Sequence, residues 1–301
     1  MHTPRIFNNW KYLSFFINFF QSYINTATIN LLTSSILVSI SGAFRVYLAS
    51  LLLGTCVTPL VCLAGGLVIY SVYTLDRALD SEEDLINRRE FCGSCKEMGF
   101  AASILSFIAG GYLLLRDGLL WLAFVPLVAG FLYSKGIKIG KHSLRLKGGL
   151  GVKNIVVGIS WGVCTVGVAG YHSNFLPLAI VFLLYGVKTF INSVIDDFKD
   201  VKGDTLTGIK TLPVCLGEPK TRKTLLCMHI LSHMIIIVAL VYNIIAFEPV
   251  IIIYSFLCGV IYIRKYTNET AIHKKRGKGL LMDGEAVISL ILRVAVNMSP
   301  L

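Results

Sequence analysis

Two runs of aspartates stand out in a chain that is otherwise poor in charge. Asp76, Asp80 and Asp84 are spaced i, i+4, i+8, and Asp196, Asp200 and Asp204 repeat that spacing 120 residues later. On a helix such residues fall along one side. Like charges at this spacing disfavour a helix by a few tenths of a kcal/mol, and carboxylates near lipid cost more unless something neutralises them. Each run therefore asks for cations. Oxygen-only donors suit Mg²⁺, which takes one or two carboxylates together with waters and substrate phosphates. Two facing triads would hold a small Mg²⁺ cluster bridged by a diphosphate. One triad alone would read as a solvated, acid-capped helix end. Two with identical spacing at equivalent helix ends point to a site.

Cationic groups accompany the acids. Arg77 sits inside the first run, and the second leads into Gly203-Asp204-Thr-Leu-Thr-Gly208-Ile-Lys210. Its glycines can turn backbone N–H groups toward an anion, and Lys210 can approach phosphate as a point charge. Tyr133, Ser134, Lys135, Lys138, Lys153 and Asn154 supply further donors between two apolar segments.

The elements that must position these groups are membrane helices. Of 301 residues, 55% are hydrophobic and only 15% charged, against about a quarter charged in ordinary soluble domains. Unbroken apolar runs, without the alternation of a β-barrel, lie at 28–53, 57–75, 99–115, 118–134, 151–170, 174–195, 224–246, 249–263 and 284–298. This predicts an all-α, polytopic bundle of about nine transmembrane helices. Residues 1–27, rich in Phe with Trp10 and Lys11, read as an N-terminal interfacial segment, and residues 28–301 as one membrane domain. The long loops after the second, fourth, sixth and eighth segments hold 22 of the 28 Lys and Arg. The positive-inside rule puts those loops, and both aspartate runs, in the cytoplasm, with the N-terminus inside and the C-terminus outside. The net charge of +11 is thus a topology signal, and no nucleic-acid partner is expected. Cys92 and Cys95 form a lone CxxC without the second pair that a structural zinc site needs.

Asp80, Asp84, Asn87 and Arg88, together with the run Asp196 to Pro213, resemble the two motifs of the UbiA family of intramembrane prenyltransferases. Tyr133-Ser134 and Asn154-Ile-Val-Val-Gly158 are also similar to family features. The likeness runs from about residue 28 to the end. It departs at Asp76, where most members carry Asn, and at Arg77, where they carry the first Asp. The resemblance implies a bundle around a central cavity with the Asp motifs at its mouth, and a Mg²⁺-dependent transfer of an isoprenyl chain from a prenyl diphosphate to a hydrophobic acceptor, an aromatic or quinone precursor first. It further implies metal binding by Asp76, Asp80, Asp84, Asp196, Asp200 and Asp204, with Asp80, Asp84, Asp196 and Asp200 central to catalysis. Arg77, Lys138 and Lys210 would bind diphosphate, and Tyr133, Ser134, Asn154 and Trp161 would line the substrate cavity. A membrane terpene cyclase is the neighbouring alternative. A divalent-cation transporter is the alternative from another class, and it predicts acids near mid-membrane rather than at helix ends.

Overall fold

The structure is a computed structural model and describes residues 25–79, 91–134, 137–139, 142–144, 151–206, 208–267 and 281–298. The expected interfacial segment and the acids Asp80 and Asp84 lie outside the described residues, as does Lys135. In chain order the helices are α1 Thr26–Thr33, α2 Ile36–Leu53, α3 Pro59–Ala78, α4 Lys96–Leu115 and α5 Leu120–Ser134. After them come α6 Val152–Gly170, α7 Phe175–Leu206, α8 Leu212–Val241, α9 Pro249–Tyr266 and α10 Glu285–Met298. Between α5 and α6 two three-residue strands, β1 Ile137–Ile139 and β2 His142–Leu144, pair antiparallel.

Local chemistry sets several of these boundaries. Asn25 accepts the backbone N–H of Thr28 at 2.8 Å to open α1. Thr58 does the same for Val61 ahead of Pro59, which starts α3 with a pre-set φ. Gly54 ends α2 in the left-handed region, φ 66°. Helix α8 begins earlier than its apolar run: a short opening piece from Leu212 breaks at Gly217, φ 73°, and the polar stretch 218–223 follows before the apolar run.

Every predicted apolar segment is helical, but they are not alike in length. Among the described residues, seven helical stretches are long and apolar enough to cross a membrane. Helices α5, 15 residues with Pro126 inside, and α10, 14 residues, are shorter. The nine spans expected from hydropathy are thus seven full-length candidates and two short helices.

Packing follows membrane rules. Large apolar side chains such as Ile104, Leu105 and Ile108 face outward, while small and polar groups meet inside, as where Ser71 and Ser103 approach to 3.2 Å between α3 and α4. Helices α6 and α7 come closest at Gly158, where an added Cβ would lie 2.8 Å from the Gly186 carbonyl oxygen. A backbone atom cannot step aside as a side-chain tip can. Gly158→Val is therefore expected to cost about 1–3 kcal/mol and to part α6 from α7, read as a lowered thermal midpoint in detergent. A midpoint equal to that of the unaltered protein would refute this packing argument.

Candidate active site

Helices α3 and α7, which carry the aspartates, are separated by α2 and α6: α2 packs on α3, α6 and α7, and α6 packs on α7 and touches α3. The cleft that the resemblance implies between the two motif helices would lie at their C-terminal ends, where both carry their acids.

On α7 the inward face differs from the i, i+4, i+8 stripe. Asp197 is 0% exposed, Asp204 5% and Asp200 9%, whereas the Asp196 side chain is 53% exposed and pairs with Lys199 at 3.4 Å. The reason is angular. At 3.6 residues per turn, seven residues return within about 20° of the starting azimuth, while eight overshoot by about 80°. Asp197, Asp200 and Asp204 therefore make the buried line, and Asp196 stands on its flank. The charge of Asp196 still acts on Tyr73 of α3, so it belongs to the mouth of the cleft.

Asp197 is clamped by α6. Lys153 Nζ donates to its Oδ1 at 2.8 Å, and Asn154 Nδ2 donates to its Oδ2 at 2.8 Å and to Ser193 Oγ at 3.0 Å. Asn154, expected to line the substrate cavity, is fully buried and takes part in this clamp. Sequence reasoning named Asp197 but gave it no role. The only cue was the Lys153-Asn154 pair opening the preceding helix, and nothing in one sequence ties it to residue 197.

Asp204 lies just past the span Phe175–Val201. Burial pushes its carboxyl up from the ordinary 3.8 to about 7; Lys153 opposes the shift, while Asp197 and Asp200 add to it. A group whose folded pKa is raised in this way holds a proton that the unfolded chain has already released. Metal-free protein should therefore lose stability as pH rises from about 4 to about 7 and level off above. The thermal midpoint in chelator, followed from pH 5 to 8, tests this, and Asp204→Asn should flatten the slope. An equal slope in the variant would assign it to another group.

Across the cleft, α3 presents Asp76, Arg77 and Tyr73. The Tyr73 ring stacks on Trp161 of α6, centroids 5.6 Å apart and planes 18° from parallel. Arg77 lies over the same ring at 5.6 Å and donates to Ser35 Oγ, which also accepts from Thr74 Oγ1 at 2.9 Å. An aromatic floor thus sits beside a fixed cation and the acids. Lys210 is exposed on the segment that follows α7. Tyr133 and Ser134 close α5 and Lys138 is in β1.

Among the described residues no three His, Cys, Asp or Glu side chains converge closely enough to cage a metal ion. The donor set nonetheless suits Mg²⁺. Among the described residues its oxygen donors are carboxylates, Asp76 on α3 and Asp200 and Asp204 on α7, and the burial that raises the Asp204 carboxyl to about 7 disfavours an uncompensated negative charge there.

The model of the UbiA prenyltransferase family matches residues 32–278. The chain belongs to this family. A digeranylgeranylglyceryl phosphate synthase of Methanopyrus kandleri is 34% identical over 77 residues, 26% of this chain and only 28% of that protein's length. Among solved structures, the apo form of a UbiA homologue from Aeropyrum pernix K1 superposes with a TM-score of 0.60 at 14% identity, covering 88% of this chain and 99% of the other. A UbiA homologue from Archaeoglobus fulgidus bound to GPP and Mg²⁺ gives 0.58 at 12% identity, with 88% and 99% covered. At these identities the likeness is one of fold. This UbiA-family chain is an integral membrane protein.

Proposed function

We propose that the protein transfers an isoprenyl chain from a prenyl diphosphate to a hydrophobic acceptor inside the membrane, using Mg²⁺ at its aspartate cleft. The carrying observation is the line Asp197, Asp200 and Asp204, buried at the end of a membrane-spanning helix and opposed by Asp76, Arg77 and Tyr73. Family membership supports prenyl transfer, and the GPP and Mg²⁺ held by the A. fulgidus homologue support the donor and the metal.

In this reading Asp76, Asp200 and Asp204, with Asp80, Asp84 and Asp196, hold the metal. Mg²⁺ there neutralises the diphosphate and stabilises the charge it gains as the allylic C–O bond breaks. Arg77, already fixed by Ser35, adds a preorganised positive charge, and Lys138 and Lys210 are the further cations assigned to the same anion. The stacked Tyr73 and Trp161 offer π-faces to the allylic cation, while the apolar bundle takes the tail and keeps water from the cation. Asp197 and its clamp hold α7 in register. The acid-bearing face lies in the cytoplasm, supported by the basic loops on that side.

An aromatic or quinone precursor is the first acceptor reading. The activity named for the M. kandleri relative favours a second, a prenylglyceryl phosphate. The test is diphosphate release by protein in lipid nanodiscs, with geranyl and geranylgeranyl diphosphate, with and without Mg²⁺. The extracted products would then be examined. Mg²⁺-dependent release with a prenylated acceptor supports the proposal. A cyclised hydrocarbon would convert it to a cyclase, and no release from any donor would end it.

A further inference from the structure

Deeper in the bundle lies a second polar site that the aspartate cleft does not use. Lys188, midway along α7 and buried, donates to Glu285 Oε1, to Ser255 Oγ at 2.6 Å and to the Ser255 carbonyl at 3.3 Å. Its three ammonium hydrogens are thereby matched. Among the described residues, Arg45, midway along α2, makes its polar contacts through one guanidinium nitrogen, 3.5 Å from the Met282 carbonyl and 4.0 Å from Asp283. Among the described residues, Glu285 engages only one of its carboxylate oxygens. Arg45, Lys188, Glu285, Ser255, Tyr185 and Ser289 border a common cavity of about 20 Å³, room for one or two water molecules.

Ionised groups at such depth are costly and are kept where they meet a ligand or a pathway. A merely structural ion pair has no such claim, since apolar residues of similar size usually serve as well or better. The composition of the cavity also defines its ligand. Arg45 and Lys188 are balanced by Asp283 and Glu285, so a dianionic phosphate would add unbalanced charge, whereas a neutral group would not. The room admits a hydroxyl and not a ring. Arg45 brings spare donors and Glu285 a spare acceptor, which a hydroxyl matches in both roles.

Depth places the site on the acceptor's side of the reaction. Lys188 precedes Asp196 by eight residues, about 12 Å of helix, and the charges of Arg45, Asp283, Arg77 and Asp196 all act on Tyr73 between them.

We propose that Glu285 and Arg45 form the acceptor subsite, binding the hydroxyl of a neutral phenol or hydroquinone whose ring lies toward Tyr73. This rests on the prenyl-transfer reading given above. Glu285 is then a specificity-determining residue, and Lys188 positions it.

The test uses full-length protein in nanodiscs with 1,4-naphthohydroquinone and geranylgeranylglyceryl phosphate as probe acceptors. Binding of each probe is measured without donor by equilibrium dialysis, and transfer with geranylgeranyl diphosphate is measured separately. The unaltered protein should bind the hydroquinone more tightly than the phosphate. Glu285→Gln should weaken hydroquinone binding and raise its KM by at least about tenfold, the loss of one charged hydrogen bond, with the donor KM within about threefold. The double variant Lys188→Met/Glu285→Leu should keep its thermal midpoint and show the same loss. Hydroquinone binding that either variant leaves unchanged, or tighter binding of the phosphate probe, overturns the subsite. Glu285-dependent binding without any transfer would uphold the subsite and remove the transferase reading instead.

Discussion

Asp200→Asn will lower Mg²⁺-dependent diphosphate release by about a hundred- to a thousandfold, the usual effect of removing one preorganised group that stabilises the charge of a transition state. Asp200 is the middle member of the buried acid line, flanked by Asp197 and Asp204, and the amide keeps its shape while losing its charge. The variant should insert and melt as the unaltered protein does, because relief from two neighbouring carboxylates offsets what the ligand position loses. Asp196→Asn should have a smaller effect, since that side chain is half exposed and already shares its charge with Lys199. Steady-state release with geranylgeranyl diphosphate, alongside the thermal midpoints, checks both. Near-full activity in Asp200→Asn would remove the residue from the site, and equal losses in the two variants would restore the i, i+4, i+8 stripe.

Lys153→Met is expected to destabilise the protein by about 3–5 kcal/mol, because it leaves the fully buried Asp197 carboxylate with only the amide hydrogen bond from Asn154. Adding Asp197→Leu to this variant should recover most of that loss, since a buried pair replaced as a unit by apolar residues costs little. Unfolding in mixed detergent micelles gives both numbers. A single variant less than about 1 kcal/mol below the unaltered protein would mean that water reaches Asp197. A double variant as unstable as the single would mean that Asp197 has partners beyond the clamp.

The sequence declared the helices and the ends that carry acid, because apolar runs and i, i+4 spacing are local properties. It did not declare which aspartate of the pair 196–197 turns inward. That depends on accumulated helical angle and on Lys153 and Asn154, more than forty residues away. Asn154 read as a cavity residue for the same reason: its partner Asp197 lies on another helix. Lys188 and Glu285 were not among the expected site residues, since 97 residues separate them in sequence and only the closed bundle joins them. Hydropathy alone also does not fix helix length: α5 and α10 have 15 and 14 described residues.

The charged residues of α10 have a consequence of their own. Glu285, the first residue of α10, meets Lys188 halfway along α7, and Arg293 forms a two-pronged pair with Glu248 just before α9, at 2.6 and 2.7 Å. A fourteen-residue segment with a carboxylate at one end and a guanidinium toward the other has little reason to enter a bilayer alone. Its place is conferred by the assembled bundle, through the pairs Glu285–Lys188 and Arg293–Glu248, and a bundle without α10 would leave the Lys188 ammonium without its carboxylate partner.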